Sequence, residues 1–336
     1  MLHPDPPLSD EDAAVFGDAV QFMTPSGRYL GERGRLAGRV LGLSMSESTD
    51  CERFGVTHRS LDDVYLELSR GMLLLGATLA YGGYLQLDGY TLALFDAVKS
   101  YHANENAPRL ERVINYLGWP VKGNAKVEAK YKFDASFRRV PRPGDADLAK
   151  WPKEGMDSPK SVPELAAWSR GMTALRHIMT GECHARILLG GKVGPKANAS
   201  ADAPWFASRM PGVLEEALFS VEARQPLYLV GGWGGAARLV GDLLRGHVPE
   251  AATWEFQSRS PLMAELHRDW IRPGGEVLYA RTVKVFHDAG PAGCNNGLSA
   301  ADNDELFQCR HAPRIIELIV TGLSRLQTPP PPSAPA

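Results

Sequence analysis

The chain has no apolar run approaching the roughly eighteen residues of a membrane-spanning helix, so no segment reads as a span. It has no excess of charge of either sign. Lys and Arg number 37 and Asp and Glu 39, for a net charge of −2, so bulk attraction to nucleic acid or to an anionic membrane surface is not expected. Cysteine is scarce: Cys51, Cys183, Cys294 and Cys309 stand far apart. No Cys-x-x-Cys pair signals a zinc site, and nothing signals a disulfide framework. Reduced thiols in a cytoplasmic protein are the expectation. His58, His102, His177 and His184 are isolated, with no His-x-x-x-His spacing, so neither a metal nor a resident cofactor is expected. The Pro-rich, acidic start lacks the basic residues and apolar stretch of a secretion signal. There is no internal repeat.

The chain does have an apolar fraction of 44% over 336 residues, enough for one large α/β core. Residues 1–36 read as an extension, 37–327 as the folded domain, and the Pro-rich 328–336 as a disordered tail. Within the extension, Ser9 caps a short helix, and Arg28, Arg33 and Arg35 are surface or phosphate-facing arginines. Arg39–Leu43 and Ala77–Tyr81 read as buried strands, with a helix from Ser60 to Leu75 between them and another from Thr91 to Val98 after them. Apolar spacing at Leu110, Val113, Ile114 and Leu117 predicts a helix over 104–120. Alternation over Lys126–Phe133 predicts an edge strand, and 138–163 a surface connection. A helix over 162–179 precedes the short buried strand Ala185–Leu189. Val213–Val221 is helical, Leu227–Val230 is a strand, and a helix runs on to Leu244. Further helices are expected over 261–270, after Ser299 and over 315–326. Leu278–Phe286 is a strand or irregular. Strand, glycine turn and helix in alternation make a parallel sheet with helices on both faces.

Such folds present backbone N–H groups to an anion at strand ends, which places the candidate ligand residues. Ser44 and Ser46 end the first strand, either facing a ligand or capping their own loop. Gly82 and Gly83 end the second, with Thr91 at the next helix start. Gly190 and Gly191 follow the buried strand. Lys192, Lys196 and Arg209 are cations in the loop leading to Gly212, where a helix begins with Glu215 and Glu216 in its first turn. Gly232-Trp233-Gly234-Gly235-Ala236-Ala237 fits Gly-x-Gly-x-x-Ala after a strand, with Glu255 about twenty residues on, as an NAD-binding oxidoreductase would have it. Its late position and the lack of a hydride-transfer pair weigh against that alternative. The turn then reads as a second wall of one nucleotide pocket, with Trp233 a base-stacking platform.

Tyr81-Gly82-Gly83, Leu189-Gly190-Gly191 and Gly212-Val213-Leu214-Glu215-Glu216 together resemble the motifs of the SLOG superfamily. This Rossmann-like fold is shared by the DNA-uptake protein Smf/DprA, the LOG cytokinin-activating phosphoribohydrolases and the TRPM nucleotide-sensor domain. The second and third pieces resemble the LOG motif Pro-Gly-Gly-x-Gly-Thr-x-x-Glu split by about twenty residues. The pattern is most similar to the prokaryotic SLOG cluster 2 type, which implies a nucleotide-centred immunity or conflict system. By that resemblance Glu216 is the motif glutamate, and Arg176, on the preceding helix, its arginine partner. A carboxylate there would stabilise positive charge on a ribose during N-glycosidic cleavage, and the arginine would grip a phosphate. Val213 in place of the motif threonine and the inserted loop Lys192–Met210 favour sensing over turnover. A phosphoribohydrolase acting on a nucleoside monophosphate is the alternative. The resemblance also implies a homo-oligomer and an effector partner, while a DNA-processing role is disfavoured by the near-neutral charge.

Overall fold

A computed structural model describes residues 34–83, 85, 90–102, 112–144, 148, 151, 156, 158–196 and 204–327. Expectations for the helix at Ser9, for Arg28 and Arg33, for 104–111 and for the tail lie outside the described residues. Arg35 is described and donates through Nε to Ser324 Oγ at 3.2 Å.

Six parallel strands form one sheet: β1 Val40–Ser46, β2 Thr78–Tyr81, β3 Val113–Gly118, β4 Ser136–Val140, β5 Ala185–Gly190 and β6 Leu227–Val230, in the order β4-β3-β2-β1-β5-β6. Eleven helices accompany them among the described residues: α1 His58–Leu74, α2 Tyr90–His102, α3 Ala125–Tyr131, α4 Val162–Glu182, α5 Gly212–Glu222, α6 Gly235–Leu244, α7 Trp254–Gln257, α8 Pro261–Asp269, α9 Gly275–Ala289, α10 Ala300–Gln308 and α11 Ala312–Arg325. This is the Rossmann-like α/β arrangement that the alternating pattern implies.

Successive strand residues face opposite sides of the sheet, and the core divides accordingly. Leu41, Leu43 and Met45 of β1 and Ala185, Ile187 and Leu189 of β5 pack with α1, α2 and α11. Leu188 packs on the other side with α5, α6 and α9, and Leu175 and Met179 of α4 cover Val40, Ala80 and Ile114. By the same alternation Arg186 of β5 lies on the α4–α5 side. It is paired in register with Gly42, two residues from Ser44 and on the same face.

Four expectations are corrected. Residues 113–118 form a strand: all six are buried, and a strand covered on both faces carries apolar residues at every period, including the helical one. Residues 125–131 form a helix capped by Asn124, with only Val127 and Tyr131 buried, four apart, while Phe133 is 56% exposed. The supposed connection from 138 begins inside β4. Residues 275–289 are helical, burying Leu278, Tyr279, Thr282 and Phe286 at helical spacing. Helix α1 begins at His58 with Thr57 as its cap, ahead of the expected Ser60. The Ser299 cap is present as a capping box with Asp302.

Candidate functional site

A cavity of about 710 Å³ opens at the carboxyl ends of β1, β2 and β5. The chain leaves β1 toward β2 on one side, and β5 joins it on the other. At such a reversal of strand order the crossover helices diverge and leave a crevice, the usual ligand site of an open α/β sheet. Ser46 and Glu47 enter it from the end of β1, and Gly82 and Gly83 from the end of β2. Asp62 and Tyr65 of α1 and Tyr90 and Thr91 of α2 form a polar aromatic wall. Arg176 of α4, Lys192 and Lys196 after β5, and Gly212, Val213 and Glu216 of α5 complete it.

A chain of buried ion pairs forms its floor. Glu215 is fully buried and accepts from Arg176 Nη1 and Arg209 Nε, both at 2.5 Å, and from Thr173 Oγ1 at 2.8 Å. Burial alone would raise the Glu215 pKa, but the charges of Arg176 and Arg209 and the Thr173 hydrogen bond hold it below the ordinary value. Glu216 lies 3.6 Å from Arg176 Nε and 3.2 Å from Arg186 Nη1. Arg186, with no exposed surface, also donates to Ser44 Oγ at 2.9 Å, Ser220 Oγ at 3.0 Å and Thr180 Oγ1 at 3.0 Å. Arg176 thus serves both glutamates, with Glu215 the closer. Gly212 makes this possible, because a Cβ there would stand 2.5 Å from Arg176 Nη2.

At the outer end, Lys196 pairs with Glu47 at 2.5 Å, and Lys192 approaches the same carboxylate at 3.9 Å. The Lys196 hydrogen bond holds the Glu47 pKa below its ordinary value, and burial lowers that of Lys192. Tyr90 donates to Asp62 Oδ1 at 2.7 Å. Burial first, and then the Asp62 hydrogen bond, keep the Tyr90 phenol protonated far above neutrality.

Of the residues singled out by sequence, Ser46, Gly82, Gly83, Thr91, Arg176, Lys192, Lys196, Gly212 and Glu216 line this cavity. The others lie elsewhere. Ser44 sits beneath it on Arg186, and Glu215 lies behind Arg176. Arg209 lines a neighbouring cavity. Gly190 and Gly191, at φ +62° and +106°, turn the chain under α6, where a Cβ on Gly191 would meet Ala236 Cβ at 2.9 Å. The turn Gly232-Trp233-Gly234-Gly235 is buried and occupied from within the chain. The Gly235 N–H donates to Asp50 Oδ1 at 2.7 Å, Arg310 Nε donates to the Gly232 carbonyl at 2.9 Å, and Trp233 Nε1 donates to Ser60 Oγ at 3.0 Å. Trp233 is a core residue. Asp50 therefore holds the position at the α6 N-terminus that a ligand phosphate would take in a dinucleotide fold. Asp50→Ala is expected to cost about 1–2 kcal/mol of stability in urea unfolding, the size of a lost helix cap.

Sequence reasoning passed over Arg186, Glu47, Asp62 and Tyr90. Arg186 left a legible signal: an arginine inside a strand buried on both faces must have an internal acid. Asp62 and Tyr90 meet only through the packing of α1 against α2, which no local spacing reveals.

Among the described residues no group of His, Cys, Asp and Glu has the makings of a metal site, and no helix is long and apolar enough to cross a membrane. No curated protein matches the chain. The sequence profile of SLOG cluster2 matches residues 35–306, which take in all six strands and every residue of the cavity, and the chain therefore belongs to the SLOG cluster2 family.

Proposed function

We propose that the chain binds a nucleotide, or a signal derived from one, in the cavity at the ends of β1, β2 and β5. We further propose that it acts as the sensing component of a nucleotide-centred bacterial defence or conflict system. The observation that carries this reading is the pairing, in one 710 Å³ cavity at the sheet's switch point, of a cationic end with an aromatic wall. Lys192, Lys196 and Arg176 suit a phosphate. Tyr90, backed edge-on by the buried Tyr65 and with Asp62 beside it as acceptor, suits a base. The volume is that of a mononucleotide-sized site.

Sensing is favoured over turnover by the state of the two motif residues. Glu216 is engaged by Arg186 and Arg176, and Arg176 is closer to Glu215 than to Glu216. A carboxylate so neutralised is a poor stabiliser of an oxocarbenium ion. The second reading, a phosphoribohydrolase, rests on Glu216 lining the cavity beside Arg176. The oxidoreductase alternative draws no support from the turn filled by Asp50.

Titrating nucleoside monophosphates, NAD and cyclic nucleotides while following thermal stability and released base separates the readings. Stabilisation by at least one nucleotide without base release is expected. Release lost in Glu216→Gln would instead establish the hydrolase. No stabilisation by any of them would overturn the nucleotide reading. The same titration tests the outer latch. Glu47 competes with an incoming anion for Lys192 and Lys196, so Glu47→Gln should tighten nucleotide binding about three- to fivefold, the scale of an exposed ion pair.

A further inference from the structure

A second cavity, of about 900 Å³, lies on the other side of α4. Arg170, Arg209 and Arg272 line it together with His177, and the remaining wall is largely apolar, with Ile178, Phe219 and Ile271. Among the described residues none of its lining is acidic, whereas the first cavity contains Glu47, Asp62 and Glu216. Among the described residues Arg272 hydrogen-bonds backbone carbonyls only, at 3.4 Å from His267, 3.0 Å from Arg268 and 2.9 Å from Ile271. Among the described residues Ser169, fully buried in the lining, has no hydrogen-bond partner for its Oγ, and a buried polar atom in that state calls for a partner, from a ligand or from water. Guanidinium groups around an apolar wall suit a molecule with one anionic end and one greasy end.

The two cavities share a wall built from one carboxylate. Arg209 and Thr173 line the second cavity and both bind Glu215 Oε1, at 2.5 and 2.8 Å, while Arg176 lines the first and binds Oε2 at 2.5 Å. An anion that draws Arg209 toward itself leaves Glu215 more dependent on Arg176. Arg176 is then less available to an anion in the first cavity.

We propose that the second cavity is an effector site for an organic anion with an apolar body, a carboxylate or phosphate on an aryl or acyl group, and that filling it weakens anion binding in the first cavity through Arg209, Glu215 and Arg176. The coupling rests on the first cavity being a nucleotide site; the binding does not. By linkage the effect is reciprocal, since each ligand must weaken the other by the same factor.

The test titrates the full chain calorimetrically with 3-phenylpropionate and with phenyl phosphate, with acetate as the control lacking an apolar body. Ile178 is 36% exposed, so Ile178→Glu places a repelling carboxylate in the cavity at little risk to folding. It should weaken probe binding more than tenfold, and Arg272→Gln by about tenfold, the loss of a charge-assisted bond. Lys192→Gln, in the first cavity, should leave the affinity for 3-phenylpropionate unchanged. The arm that binds more tightly identifies the anionic group. No binding of either aryl probe, binding no tighter than acetate, or affinities indifferent to both second-cavity variants would overturn the site. Saturating 3-phenylpropionate should weaken adenosine 5′-monophosphate binding about three- to tenfold. An unchanged affinity overturns the coupling and leaves both sites standing. If adenosine 5′-monophosphate and the other nucleotides fail to bind while 3-phenylpropionate binds, the nucleotide reading and the coupling fall and the second site remains.

Discussion

Arg186→Met lowers the unfolding free energy by about 3–5 kcal/mol, the cost of breaking a buried ion pair from one side. The loss is that large because what remains for Glu216 is Arg176 Nε at 3.6 Å, an arginine already held more closely by Glu215. Its side chain is wholly buried and donates to Glu216, Ser44, Ser220 and Thr180 at 2.9–3.2 Å. Methionine fills much of the volume but takes the closer cation from the Glu216 carboxylate, whose side chain is only 11% exposed, and a donor from each of three hydroxyl groups. Ser220 retains the Gln225 amide oxygen as an acceptor, and Thr180 the Arg176 carbonyl. The Glu216 charge therefore dominates. Urea unfolding of Arg186→Met, Glu216→Gln and the double variant isolates it. The double variant should lose less than the sum of the singles, because glutamine removes the charge that methionine leaves without its closer partner. A single-variant loss below about 1 kcal/mol would mean that water reaches Glu216 and that the cluster contributes little to folding.

The same residue shows what could and could not be read from the sequence. The strand–glycine–helix order was legible because buried strands and amphipathic helices leave different local patterns, and the strands with glycine ends fell in place. The middle of the chain was misread for a physical reason. β3 is buried on both faces, so its apolar residues satisfy a helical template as well as an extended one. α3 is short and buries only two side chains, so chance alternation at Ala129 and Phe133 outweighed its i, i+4 pair. At the site, glycines announced themselves as ligand turns, yet several exist to let one part of the chain pass close to another. Gly191 admits α6, Gly212 admits Arg176, and the turn at Gly234 receives Asp50 and Phe54. A glycine motif records a close approach, and the sequence does not say whether a ligand or the protein itself makes it. Arg186 was readable in principle, because an arginine within Ala-Arg-Ile-Leu-Leu-Gly has no solvent-facing side to occupy.

Glu215→Gln should cost about 2–4 kcal/mol at neutral pH, somewhat less than a fully buried pair because Arg176 and Arg209 remain 12% and 18% exposed. Its signature is the dependence on pH. The folded-state pKa of Glu215 is depressed below its ordinary 4.5: burial opposes ionisation, but Arg176, Arg209 and Thr173 prevail. A carboxylate with a depressed folded pKa binds fewer protons folded than unfolded. Its stabilising contribution is therefore complete above 4.5 and is lost as the pH falls through the folded value. The gap in stability between the parent and Glu215→Gln should be constant from neutrality down to about pH 5 and should narrow below 4.5, as measured by urea unfolding at stepped pH. A gap that stays constant to pH 2 would mean that Glu215 acts through packing and neutral hydrogen bonds. The variant also frees Arg176 from its closer partner. If Glu215 restrains Arg176 in the resting protein, Glu215→Gln binds nucleotide more tightly while folding less stably, two effects of opposite sign that a merely damaged fold would not produce together.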